Sequence, residues 1–104
     1  MLIEVLYVPG CPNHAAAVRR LRTILESDGL DTHISEIAVT DELAAQALRF
    51  PGSPTVRING IDAEPSETQS TGLACRLYAN GSGVPSQDSL QRAISTAKHR
   101  ESSA

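Results

Sequence analysis

A cysteine and a histidine near the N-terminus have the types and spacing of a reactive thiol site. Cys11 is followed by Pro12, Asn13 and His14. Proline is favoured at the first position of a helix, so we expect Cys11 to be the N-cap of a helix that begins at Pro12. The unpaired N–H groups and the positive dipole of a helix N-terminus stabilise a thiolate, the nucleophilic form of cysteine. The pattern therefore predicts that Cys11 is a nucleophile near neutral pH; the alternative is a buried, inert cysteine.

His14 has two interpretations. At three residues after Cys11 it lies on the same side of the first helical turn, where an imidazole could hydrogen-bond the sulfur or give a proton to a leaving group. Alternatively, it is only a polar residue of the first turn. A dithiol relay within the motif would need a second cysteine at this position. With His14 there, no resolving thiol lies within the motif.

The other of the two cysteines, Cys75, lies in a run that alternates like a strand. This alternation predicts one apolar face formed by Leu73, Cys75 and Leu77, in which the cysteine is a small core residue. Alternatively, Cys75 approaches Cys11 and acts as a resolving thiol or as the second ligand of a soft metal. A further option is a closed zinc site with ligands drawn from Cys11, His14, His33 and Cys75.

The hydrophobic pattern predicts the elements that position Cys11. Residues 2–8 form an apolar, β-branched run that ends at Pro9-Gly10, which predicts a buried strand. An amphipathic helix over about 12–28 and a second strand over 31–38 follow. Together they form a βαβ unit, whose two strands lie parallel.

The middle of the chain predicts a second helix and a hairpin. Thr40 is the expected cap of this helix, which ends near Arg49. Polar and apolar residues alternate over 55–58, which predicts a third strand. Asn59-Gly60 after this strand is a strong hairpin signal.

Two segments compete for the fourth strand, one from Ile61 onward and one over 73–78. Ser86 then caps a last helix, and residues 99–104 form a flexible tail. The sequence thus predicts one α/β domain over 1–98, in the order βαβαββα, with a central mixed four-stranded sheet and helices on both faces.

Composition limits the classes of function. The 104 residues fit one domain, and 9 basic against 12 acidic residues give a net charge of -3, which argues against nucleic-acid and membrane-surface partners. Aromatic residues are 3% of the chain, too few for base stacking. Two cysteines exclude a disulfide-dense scaffold. The N-terminal residues lack a basic leader, so we expect a cytoplasmic protein with reduced thiols.

The order of elements, with Cys11 at a helix start and Ser53-Pro54-Thr55 ahead of the third strand, resembles the thioredoxin-like superfamily over nearly the whole chain. The resemblance implies a thioredoxin-like fold and a cis Ser53–Pro54 peptide bond lying against the active cysteine. It also implies a monothiol thiol–disulfide oxidoreductase without a cofactor, acting on a thiol or disulfide such as glutathione or a protein thiol. The wall facing the substrate would be Pro12, Ser53, Pro54 and Thr55.

The chain also resembles small proteins labelled alkylmercury lyase-like in three motifs. These are Gly10-Cys11-Pro12-Asn13, Gly52-Ser53-Pro54-Thr55 and Cys75-Arg76-Leu77-Tyr78. This second resemblance implies that Cys11 and Cys75 bind mercury, or that they cleave a carbon–mercury bond while His14, which stands where those lyases have an acid, supplies the proton. A non-catalytic binding module that keeps the fold is the remaining alternative.

Overall fold

Four strands and three helices are present in the residues that the structure, a computed structural model, describes, 1–65 and 71–102. The elements are β1 (Ile3–Tyr7), α1 (His14–Ser27), β2 (Ile34–Ala38), α2 (Glu42–Ala47), β3 (Thr55–Ile58), β4 (Ile61–Asp62) and α3 (Gln87–Ser102). Their order confirms the α/β pattern βαβαββα.

The four strands form one mixed sheet in the order β2-β1-β3-β4. β1 runs parallel to β2 and antiparallel to β3, and β3 is antiparallel to β4. Asn59 and Gly60 have φ values of 53° and 82°, as a tight hairpin turn requires. This hairpin makes Ile61–Asp62 the fourth strand, and the competing segment 73–78 contributes a single isolated bridge.

Helices lie on both faces of the sheet, because the side chains of β1 alternate between two clusters. Ile3 and Val5 point into the larger cluster, with α1 and α3. Leu6 points the other way, into a smaller cluster with α2. The helix residues of the larger cluster are Leu21, Ile24, Leu25, Leu90, Ile94 and Ala97.

The start of α1 differs from the prediction. Its N-cap is Asn13, with φ -97° and ψ -4°, and not Cys11. Residues 11–14 form a turn of their own, in which the N–H of His14 donates to the carbonyl of Cys11 at 3.3 Å. The prediction of Cys11 as N-cap is therefore wrong by two residues, because the chain turns once before the regular helix begins.

The other two helices also differ at their ends. The cap of α2 is Asp41, whose carboxylate accepts the N–H of Ala44 at 2.7 Å, and not Thr40. α3 continues to Ser102, whereas the predicted tail begins at 99. The N-terminal ammonium of Met1 pairs with Glu101 at 3.2 Å, which holds the last turn of α3 against the start of the chain.

Candidate functional site

Cys11 lies in the turn between β1 and α1, with a partly exposed and free thiol. Its N–H donates to the carbonyl of Val8 at 3.0 Å, and its own carbonyl accepts from His14. Asn13 forms no side-chain cap hydrogen bond, so the N-cap side chain satisfies none of the N–H groups in the first turn of α1. The sulfur therefore belongs to a turn directly in front of an uncapped helix N-terminus, whose dipole favours negative charge.

The Ser53–Pro54 segment is hydrogen-bonded to the residue that closes the Cys11 turn. The Oγ of Ser53 accepts from the N–H of Val8 at 3.0 Å, while the carbonyl of Val8 accepts from Cys11. The Ser53–Pro54 peptide bond is cis, as the resemblance implies. Ser53, Pro54 and Thr55 are buried, and the Thr55 hydroxyl donates to a backbone carbonyl. Pro12 alone of the expected wall residues is exposed.

Tyr78 holds the Pro54 backbone through its buried hydroxyl, which donates to the Pro54 carbonyl. Burial raises the pKa of Tyr78 above its ordinary value; Arg76 lowers it, and Cys11 is among the negative charges that raise it further. The phenol therefore stays protonated and remains a donor.

Arg76 is a buried charged residue next to the Ser53-Pro54-Thr55 segment, and its side chain is 5% exposed. Its guanidinium donates to both carboxylate oxygens of Asp62, at 2.7 and 3.2 Å, and to the Thr55 hydroxyl at 3.2 Å. It also donates to the Glu64 carbonyl and lies 4.3 Å from the centre of the Tyr78 ring. A buried guanidinium with this many partners fixes the segment after Cys75 against β3 and β4.

Cys75 lies beside Ser53, because the two residues form an isolated parallel bridge. The N–H of Ser53 donates to the Ala74 carbonyl at 2.8 Å, and the N–H of Arg76 donates to the Ser53 carbonyl at 3.0 Å. Gly52 permits this approach: a Cβ there would lie 3.0 Å from the Arg76 Cβ and 3.1 Å from the Ala74 carbonyl oxygen. Its φ of 138° also suits glycine.

Leu73 packs against the smaller core cluster, as its predicted position on the apolar face requires, but over 75–78 the alternation is the inverse of the prediction. Arg76 and Tyr78 are buried, whereas Cys75 is exposed and Leu77 is 76% exposed. Burying Arg76 and Tyr78 is favourable because each polar group has a hydrogen-bond partner. The expectation that Cys75 is a core residue is therefore wrong, and its thiol is open to solvent.

His14 is held by two residues of the sheet. Its ring stacks on Tyr7 with centroids 3.6 Å apart and planes 9° apart, and its Nε2 lies 2.6 Å from Oε1 of Glu36. A carboxylate only accepts, so Nε2 carries the proton. In the described part of the chain, the His14 ring forms no hydrogen bond with the Cys11 sulfur. Its contacts instead anchor the first turn of α1 to β1 and β2.

The loop before α3 lies against the same helix start. A Cβ at Gly83 would collide with the side-chain amide of Asn13, and Nη1 of Arg20 donates to the Pro85 carbonyl at 2.8 Å. The close fit of Gly83 to Asn13 makes the loop part of the surroundings of Cys11.

The zinc alternative has no support in the structure. Within residues 1–65 and 71–102, no group of three or more His, Cys, Asp or Glu side chains is arranged to hold a metal ion. Of the helices in these ranges, none has the length and apolarity needed to cross a membrane.

No protein-family model, curated protein or solved structure matches this chain. The function of the site must therefore be inferred from the chemistry of its residues.

Arg76 and Tyr78 are the important site residues whose role sequence reasoning missed. Their partners Asp62 and Pro54 are 14 and 24 positions away, so local alternation does not reveal the pairing. One signal was present in the sequence: an arginine inside an otherwise apolar alternating run has a high cost of burial unless an acid lies opposite it.

Proposed function

We propose that this chain is a thioredoxin-like thiol protein that acts as a monothiol thiol–disulfide oxidoreductase, with Cys11 as its nucleophile. The observation that carries the proposal is the position of Val8, which hydrogen-bonds both Cys11 and Ser53 of the cis-proline segment. The sheet order β2-β1-β3-β4, with helices on both faces, supports the thioredoxin-like fold.

The reaction begins with a disulfide substrate, R–S–S–R′. The thiolate of Cys11 attacks one sulfur, the S–S bond breaks, and R′–S⁻ leaves with the bonding electron pair and takes a proton from water. Cys11 is then joined to R in a mixed disulfide. A second thiolate, from glutathione or a protein thiol, attacks this disulfide, forms a new disulfide with R and releases Cys11.

Cys75 offers an internal route for the second step. Its exposed thiol lies on the segment bridged to Ser53. Attack by Cys75 on the mixed disulfide would release R–S⁻ and leave a Cys11–Cys75 disulfide, which an external dithiol then reduces. In this proposal both thiols are reduced before the reaction, as they would be in a reducing compartment such as the cytoplasm.

The remaining site residues have positioning roles in this proposal. Exposed Pro12 is the member of the expected wall that can contact a substrate, whereas Ser53, Pro54 and Thr55 support the Cys11 turn from the interior. His14 fixes the start of α1 through Tyr7 and Glu36.

Adduct formation with oxidised glutathione tests this function. We expect the reduced chain to form a mixed disulfide at Cys11, identified by peptide mass spectrometry. The matched variants are Cys11→Ser and Cys75→Ser: the first should lose the adduct, and the second should accumulate it if Cys75 resolves it in the wild type. An adduct that forms equally fast in Cys11→Ser would refute Cys11 as the nucleophile.

A second candidate is soft-metal or organomercurial binding by Cys11 and Cys75. The exposure of the Cys75 thiol beside Ser53 favours it, because a soft metal prefers thiolate ligands and both cysteines are uncommitted. Titration with Hg²⁺ under competition from a small dithiol measures the affinity. Loss of affinity in both single Cys→Ser variants supports a two-thiol site, whereas unchanged affinity in Cys75→Ser excludes it.

A further inference from the structure

A groove with a cavity volume of about 240 Å³ lies at the β4 edge of the sheet, between the β3–β4 hairpin and α3. Its floor is apolar, and Ile61 on this floor is 52% exposed. Neither Cys11 nor Ser53 lines it, so it is separate from the thiol site. The apolar lining residues are Ile58, Ile61, Ala63, Ala93 and Ala97.

Arg92 and Arg100 of α3 line the same groove. Eight residues of helix separate them by about 12 Å along the axis, and the i, i+4, i+8 spacing through Thr96 places them on one face. In residues 1–65 and 71–102 neither arginine forms an ion pair. Within the described residues, the groove thus combines an apolar floor with two arginines that form no ion pair.

Two acids near this groove are already engaged. The Asp62 carboxylate accepts hydrogen bonds from Nη1 and Nη2 of Arg76. The carboxylate of Glu64 accepts from the Ser89 hydroxyl at 2.8 Å and from the Ala79 N–H at 3.1 Å. The donors to Glu64 are neutral, so only the charge of Asp62 is offset, by Arg76. Among the residues that line the groove, this leaves Arg92 and Arg100 as the net positive charge of its rim.

We propose that this groove binds an extended acidic segment of a partner protein, in which one apolar side chain is flanked by carboxylates two residues away on either side. In an extended chain, residues i, i+2 and i+4 share a face, and the outer two are about 13 Å apart. This spacing matches the separation of Arg92 and Arg100, and the central apolar side chain enters the groove between them. β4 is an edge strand, so the extended segment can lie alongside it and form main-chain hydrogen bonds with it.

Fluorescence anisotropy with a labelled synthetic peptide, Gly-Glu-Ser-Leu-Ser-Glu-Gly, tests the proposal at low ionic strength. We expect saturable binding that weakens when both Glu are replaced by Gln or Leu by Ser, and that weakens with salt. Arg92→Gln and Arg100→Gln should each lower affinity about two- to fivefold, and the double variant about tenfold. The control is Arg19→Gln with Arg22→Gln, which removes the same charge from the exposed face of α1 and should leave affinity unchanged.

Filling the floor with Ala93→Leu should abolish binding, with folding checked by circular dichroism. If that variant does not fold, the exposed arginine variants decide the question. The proposal is overturned by an absence of saturable binding, or by equal affinity in the wild type and the Arg92→Gln, Arg100→Gln double variant. Binding of decanoate at these arginines without binding of the peptide overturns it in favour of a small amphiphile.

Discussion

The hydroxyl oxygen of Ser53 accepts a hydrogen bond of 3.0 Å from the backbone N–H of Val8. Val8 also accepts the N–H of Cys11 through its carbonyl, so a single residue after β1 joins a buried serine to the cysteine turn. Ser53 is 1% exposed, and its position in turn depends on the bridge to Cys75. A substitution of Ser53 should therefore disturb the turn that contains Cys11.

Ser53→Ala removes the acceptor of the Val8 N–H. We expect a loss of about 1–2 kcal/mol in the free energy of unfolding, since a partly buried donor is left without its partner. Urea unfolding measures the loss. Ser95→Ala, on the exposed face of α3, is the control and should change the stability by less than about 0.5 kcal/mol. Equal stability of the two variants would show that the Ser53 bond is not important for the fold.

Tyr78→Phe removes the hydroxyl that donates to the Pro54 carbonyl and should cost about 1–2 kcal/mol, because a buried acceptor is left unpaired. The free energy of unfolding of the wild type should also fall more steeply at alkaline pH than that of Tyr78→Phe. Burial raises the pKa of Tyr78 above its ordinary value of 10.0, so the folded state holds this proton more tightly than the unfolded state. That stabilisation is complete below pH 10.0 and is lost as the pH rises above it.

The measurement for Tyr78 is urea unfolding of wild type and Tyr78→Phe between neutral pH and pH values above 10. The free-energy difference between them should shrink as the pH rises, because only the wild type loses the contribution of this proton. A difference that stays constant above pH 10 would mean that Tyr78 titrates alike in both states.

Arg76→Met leaves the Asp62 carboxylate, which is 15% exposed, without its counter-ion. We expect a loss of about 3–5 kcal/mol, the usual cost of breaking a buried ion pair from one side. The double variant Arg76→Met, Asp62→Leu should be more stable than Arg76→Met alone, since it removes the unpaired charge. Arg19→Met on the exposed face of α1 is the control. A double variant less stable than Arg76→Met would contradict this explanation.

Gly52→Ala should destabilise the chain more than Gly81→Ala. Both glycines have positive φ, 138° and 79°, but a Cβ at Gly52 would meet Arg76 and the Ala74 carbonyl, whereas a Cβ at Gly81 meets nothing within 4 Å. The conformational cost alone is about 1 kcal/mol, and the close contacts at Gly52 should add at least about 1 kcal/mol more. Thermal unfolding of the two variants measures the difference, and equal losses would rule out a steric role for this glycine.

Local sequence signals predicted the elements but not the contacts between them. Asn59-Gly60 specified the hairpin because its turn needs residues that tolerate positive φ. Strand β1 was predicted from its run of apolar and β-branched residues, whose side chains pack on both faces of the sheet. These features depend on neighbouring residues alone.

The site was harder to predict because its partners are distant in sequence. His14 has the spacing of a partner for Cys11, yet its ring is held by Tyr7 and by Glu36, which is 22 residues away on β2. The alternation of segment 73–78 was recognised, but its inward face depends on where Asp62 lies in the folded chain. Periodicity gives two faces without saying which of them finds partners.

The relative reactivity of the two cysteines tests whether Cys11 is the activated nucleophile. Folded protein at pH 7 is treated with limiting iodoacetamide, and labelling of Cys11 and Cys75 is followed by peptide mass spectrometry, with the urea-unfolded chain as the control. Accessibility alone favours Cys75, which is exposed, over the partly exposed Cys11. We expect that Cys11 nevertheless reacts about ten times faster in the folded chain, because the start of α1 favours its thiolate, and that unfolding removes the difference. Faster labelling of Cys75 in the folded chain would contradict this expectation.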